Sequence, residues 1–253
     1  MKNLPVSLIL ALLCAGCEVN LSLDDGRGDA GDPRTSVPEA AGELREQIPV
    51  YKVSLPLEDA DPDEPEDLER ILAVAVDKEE IEKREVAGSG LLYLPGEPMP
   101  FSGWKRESHP DGRVKSLVRI RYGREDGPYR TWREDGAKAS AGNYREGRRT
   151  GRYVRWGEGG EKEMETHYLD GSKNGPFVFW HPNGVKESEG NYTDDKMDGL
   201  FLRWTREGVP KERITYRDGK PDGLWITYGK DGSEWYRTTY RNGEMVSDRA
   251  LVP

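Results

Sequence analysis

The chain has 253 residues, 34 % charged and 34 % hydrophobic, with a formal net charge of −9. An acidic balance argues against a nucleic-acid partner, which calls for clustered Lys and Arg to displace phosphate counterions. The two cysteines, Cys14 and Cys17, both stand near the N-terminus, so disulfide staples, cysteine zinc sites and a cysteine nucleophile are excluded from the body.

Met1-Lys2-Asn3 carries a positive charge, and Leu4 to Ala15 is almost wholly apolar. A membrane-spanning helix needs about 20 such residues. The stretch therefore reads as a signal peptide over residues 1–16. Leu13-Cys14-Ala15-Gly16-Cys17 resembles the lipobox of bacterial lipoproteins, with one departure: Cys14 stands where the family usually has Leu. The resemblance implies that Cys17 is acylated and begins the mature chain, so that membrane lipid is a partner. Each buried acyl methylene contributes about 0.8 kcal/mol, and two or three chains anchor stably. Glu18 in place of the Asp that usually marks inner-membrane retention favours the outer membrane of a bacterial envelope. Ordinary secretion with cleavage nearby is the alternative.

Glu18 to Gly90 holds 21 acids against 8 bases, whereas Leu91 to Pro253 holds 26 against 29. Residues 17–49 are rich in Asp, Glu, Gly and Pro and poor in aromatics, which predicts a disordered acidic tether. Within residues 50–89 the pattern predicts a short strand over 50–55 and a short helix over 66–84, acids first and bases last. The acidic runs do not match the spacing of a calcium loop and read as solvated spacer, with no metal.

From residue 90 to 243 the sequence repeats with a period of 24. Tyr144, Tyr168, Tyr192, Tyr216 and Tyr240 keep this step. So do the glycines at 151, 175, 199 and 223, the aromatics Trp132, Trp156, Trp180, Trp204 and Tyr228, and the glycines at 136, 160, 184, 208 and 232. Alternating residues after the second glycine predict a strand, an Asp-Gly or Asn-Gly turn follows, and a polar strand of about eight residues returns to the tyrosine. Each copy is one β-hairpin that buries its face only by stacking on its neighbours. The fold class expected is all-β: one elongated antiparallel sheet of about six tandem hairpins, closed by a cap over 244–253. Alternation places the Trp column on one face and Tyr129, Tyr153, Phe177, Phe201 and Trp225 on the other.

Tyr168-Leu-Asp-Gly171-Ser-Lys-Asn-Gly175-Pro-Phe-Val-Phe-Trp180-His-Pro-Asn-Gly184 carries a resemblance to the MORN-repeat-variant family, bacterial repeat proteins of the YwqK antitoxin type. Gly90-Leu-Leu-Tyr93 and Pro100-Phe101-Ser102-Gly103-Trp104 look like that family's usual first copy, although Ser108 stands where Trp is expected. The resemblance implies an extended sheet of hairpins and, through the family's label, neutralisation of a toxin or effector.

Nothing in the sequence points to catalysis or a cofactor. His109, His167 and His181 are scattered and read as solvated loop residues; Glu187 and Glu189 read as a solvated strand face. Nucleophile elbow, Walker loop and dinucleotide fingerprint are all missing. The column Tyr129, Tyr153, Phe177, Phe201 and Trp225 is the candidate binding feature, suited to a protein or an envelope glycan if open, and to structural packing if the rings cover one another. The function expected is a non-enzymatic, membrane-tethered binding or scaffolding module. An immunity protein against an incoming effector is the alternative, and export argues against neutralising a cytosolic toxin.

Overall fold

The computed structural model describes residues 57–250, Glu58 excepted. The signal peptide, Cys17, the tether and the strand expected over 50–55 lie outside the described residues, as do the last three of the cap.

The first element is helix α1 (Pro65–Val74). Pro65 occupies a position whose N–H a helix leaves unbonded anyway, and Glu66 and Asp67 complement the positive helix end. The sequence predicts helix through residue 84, and here the structure differs. Ala75 is extended (φ −69°, ψ 132°). The chain then forms β1 (Val76–Asp77), a 3-10 turn (Lys78–Glu80) and β2 (Glu82–Val86). Packing overrides propensity: Val76 and Ile81 lie against Phe101, Val118 and Ile120, and Asp77 takes two bonds from Arg106 at 2.8 and 2.6 Å. A continuous 3.6-residue turn would carry these groups to different sides.

β2 pairs with β3 (Ser89–Tyr93) in a small antiparallel sheet of its own. The main sheet is then a meander in strict chain order. It runs through β4 (Gly103–Ser108), β5 (Val114–Arg121), β6 (Arg124–Trp132), β7 (Lys138–Arg145), β8 (Arg148–Trp156) and β9 (Lys162–Leu169). It continues through β10 (Ser172–Trp180), β11 (Lys186–Thr193), the short β12 (Lys196–Met197), β13 (Gly199–Trp204), β14 (Pro210–Arg217), β15 (Lys220–Tyr228), β16 (Glu234–Arg241) and β17 (Glu244–Ala250). The tandem-hairpin sheet expected from the repeat is what forms. The additions are β1, which lies parallel to β4 at one edge, and β17, within the stretch expected as a cap, which pairs antiparallel with β16 at the other.

Two kinds of reversal alternate. At Glu146-Gly147 both residues have positive φ (50° and 79°), which defines a two-residue turn matched to strand twist. Asp170-Gly171, Asp218-Gly219 and Asn242-Gly243 repeat it. After each Trp the reversal is wider: Arg133 N donates to Ala137 O and Gly136 N to Arg133 O, both at 2.9 Å, and of these residues Gly136 has positive φ. The tight turn therefore sits at Tyr-x-x-Gly, and the turns that follow the Trp column, such as Asp135-Gly136 and Asn183-Gly184, are the looser ones, the reverse of the sequence-based assignment. The next glycine, as at Gly127, bends its strand at φ 116°, where an added Cβ would lie 3.0 Å from the Arg119 stem.

Tertiary cover is uneven along the sheet. On one face of β4–β6, Ile71 of α1 (0 % exposed) and Ala60 close over Trp104, Leu117 and Trp132. On the other face, Leu92 and Leu94 cover Val118 and Ile120. The first strands thus have a core on both sides. From β7 onward the buried apolar residues thin out to Val154, Phe177, Ile214 and Ile226.

Candidate functional site

The two aromatic columns lie on opposite faces, as the alternation predicts. Tyr129, Tyr153, Phe177, Phe201 and Trp225 share the ring face. Each rests against the tyrosine that ends its own hairpin: Tyr129–Tyr144 at 5.5 Å, Tyr153–Tyr168 at 6.1 Å, Phe177–Tyr192 at 4.6 Å, Phe201–Tyr216 at 6.0 Å and Trp225–Tyr240 at 5.6 Å between centroids. Such pairs contribute about 0.5–1.5 kcal/mol each beyond burial. Phe177 is only 2 % exposed and also meets Phe179 and Phe201; the other four rings are half-buried.

Between the rings runs a second column, Val118, Gly142, Thr166, Gly190, Ile214 and Thr238. Gly142 and Gly190 lie directly under rings, where a Cβ would come within 3.0 Å of Tyr153 and 2.9 Å of Phe177. Arg149 adds a cation 4.9 Å from the Tyr153 ring centroid and 5.6 Å from that of Tyr168. Its bond to the Tyr144 hydroxyl raises the guanidinium pKa above its ordinary value, with burial opposing. Burial, with Tyr144 and Tyr153 close by, likewise raises the Tyr129 phenol. The sequence-predicted site residues are thus brought together, chiefly as a mutually packed ladder.

Sequence reasoning missed the role of two histidines. His109 Nε2 donates to the Trp132 carbonyl (3.0 Å) and His181 Nε2 to that of Trp204 (3.1 Å), while Arg133 does the same to Trp156. In each case the side chain after a strand ties its copy to the next. On the opposite edge the turn glycines do this with backbone, as Gly147 N does to Glu125 O and Gly243 N to Pro221 O. The signal was the fixed spacing of 23 residues between the donor and the next Trp.

The tryptophan face has two regimes. Under α1 it is closed by charge as well as by apolar contact. Asp63 accepts from Arg130 Nε and Nη2 (2.9 and 2.7 Å) and from Lys138 Nζ (2.7 Å), and Arg119 donates to Leu57 O (2.7 Å). Burial pushes the Asp63 carboxyl up, but the bonds from Arg130 and Lys138 outweigh it and hold it below its ordinary value. Further along, the face carries Leu200, Leu202, Trp204, Leu224 and Tyr228, and the main packing there is of strand on neighbouring strand. Leu200 and Leu224 are 44 % and 40 % exposed. A cleft of about 370 Å³ opens beside Trp204 and Tyr228. Among the described residues no group of three or more His, Cys, Asp or Glu is placed to hold a metal, and no helix is long and apolar enough to cross a membrane.

Taken together, these features define a repeat protein whose units lend each other cover. Residues 173–194, spanning β10, its turn and β11, match the family described as MORN repeat variant. That stretch is similar to one such repeat, and the 24-residue register carries the same pattern through the neighbouring hairpins. No curated protein matches the chain.

Proposed function

We propose that this protein is a non-enzymatic, repeat-based binding module held at a bacterial envelope membrane by lipid on Cys17, and that the open half of its tryptophan face receives a protein partner. The observation that carries the binding reading is the contrast along that one face. Where α1 covers it, apolar side chains are buried; on the strands that carry Trp204 and Tyr228, Leu200 and Leu224 stand exposed. A regular sheet that leaves large aliphatic groups exposed in a row has the character of an interaction surface. The tether and anchor rest on the lipobox-like Cys17 and the acidic composition that follows it.

Two measurements in the source cells test this reading. Cys17→Ala is expected to move the protein from the membrane to the soluble envelope fraction; unchanged membrane association removes the anchor. A photo-crosslinking residue at Leu224 is expected to trap a discrete protein adduct, and one at Asp170, on the far turn edge, to trap none. No adduct at Leu224 removes the docking reading.

A further inference from the structure

We infer that the open tryptophan face selects an acidic, leucine- or isoleucine-bearing segment of a partner polypeptide, seated over Trp204 and Tyr228 with its carboxylates on Arg206, Lys211 and Lys230. This rests on the docking reading above and specifies its occupant.

Two observations carry it. The first is charge. The cleft beside Trp204 and Tyr228 is lined by Arg203, which is paired with Glu187 and Glu212, and by three further cations, Arg206, Lys211 and Lys230; no carboxylate lines it. Arg206, Lys211 and Lys230 form no ion pair with the described residues, although ion pairs stud the sheet elsewhere, such as Arg152–Glu165 and Lys186–Glu189. Glu207, in the same turn, leaves the cluster net positive. Unpaired cations around an apolar floor attract an anionic partner and fix its register.

The second is a worked example within the chain. Three repeats earlier, the equivalent column residue, Trp132, lies under an acidic segment of the protein itself. Ile71 and Ala60 fill the apolar floor, while Asp63 binds Arg130 and Lys138. Lys211 lies one place beyond the position three repeats after Lys138, in the same strand-start region. At the places equivalent to Arg130 and Lys138 this later repeat has Leu202 and Pro210, and its cations come instead from Lys211 beside them and from Arg206 and Lys230 in the turns. In place of Arg130 the later repeats carry Leu202, which is half-buried, and Ile226, which is buried, so the accessible part of the seat is Trp204 and Tyr228 with the cations around them.

The test uses the purified full chain and a fluorescein-labelled peptide with the sequence of residues 59–75, the segment that meets this face in cis. Binding is followed by fluorescence anisotropy at low and high salt. Saturable binding is expected that weakens with salt. The double variant Lys211→Glu, Lys230→Glu should weaken it by about tenfold or more, and Leu224→Ser should weaken it too. Asp170→Asn should leave it unchanged. Both lysines are exposed, so the variants are expected to keep the fold, checked by circular dichroism. A peptide with every Asp and Glu amidated should not bind. Binding insensitive to the two lysines, or binding by the amidated peptide, overturns the inference. So does a dimer in sedimentation that Leu224→Ser dissociates, because the face would then belong to a second copy. If the peptide fails while the Leu224 crosslinker still traps a protein in cells, docking stands and the acidic occupant is wrong; if the crosslinker also fails, docking itself falls.

Discussion

Glu165 illustrates how single side chains set the behaviour of this surface. Arg152 bonds its carboxylate at 2.7 Å and Lys162 at 3.2 Å, and burial works against them. The cations win and hold the pKa at about 2, against an ordinary 4.5. Because the folded value is depressed, the stability it contributes is present in full above about pH 4.5 and is lost as pH falls through about 2. Glu165→Gln should therefore flatten the fall in the urea midpoint between pH 4.5 and 2 relative to the parent. Equal slopes would mean that the ion pair makes no difference between folded and unfolded states. Asp63 works in the same direction, with the difference that Arg130 beside it is 9 % exposed and also donates to Gly142 O at 3.0 Å. None of these partnerships is visible in a linear reading. Asp63 and Arg130 are 67 residues apart, outside any repeat spacing.

Among the elements, the turns are the most exacting. Four Tyr-x-x-Gly copies place glycine at the second positive-φ position, and the fifth places Asp195 there at φ 64°. A left-handed backbone costs a non-glycine residue about 1–2 kcal/mol. Asp195 offsets this with its carboxylate, which accepts from Lys173 N at 2.8 Å and is held below its ordinary pKa by that backbone bond. Asp195→Gly should be near neutral, trading the bond for relief of the backbone. Asp195→Ala, which loses the bond and keeps the strain, should lower the midpoint of chemical denaturation below those of the parent and of Asp195→Gly. The repeat spacing located these turns correctly but ranked them wrongly. Dipeptides such as Asp135-Gly136 look like the tightest turns, yet the two-residue geometry falls at Glu146-Gly147. What decides is which pair both adopt positive φ once neighbouring strands are in register.

Across the whole molecule, cover decreases from the first strands to the last. The early strands have apolar layers on both faces, while from β7 onward stability comes from ring on ring and strand on strand. Copies that touch only their neighbours behave as a chain of coupled units. Phe177 sits mid-sheet, 2 % exposed, and touches Phe179, Tyr192 and Phe201. Phe177→Ala should cost about 3–5 kcal/mol and split urea unfolding into two steps, because it breaks the coupling between the early and late repeats. A single step with an unshifted midpoint would show that the rings do not carry it.

The sequence alone determined the repeat, its 24-residue register, the hairpin as the unit and the two-column alternation, because all of these are local periodicities fixed by the pleat and by glycine's tolerance of positive φ. It marked the residues of the ring column but not their state. Whether Phe177 is open or covered depends on Tyr192 and Phe201, which arrive from neighbouring strands. Only the tertiary structure decided that α1 stops at Val74, that an acidic segment closes the tryptophan face over β4–β6, and that the same face lies bare around Leu200 and Leu224. Those outcomes rest on contacts between residues far apart in the chain, and no short-range pattern encodes which of several equivalent apolar floors a single helix will cover.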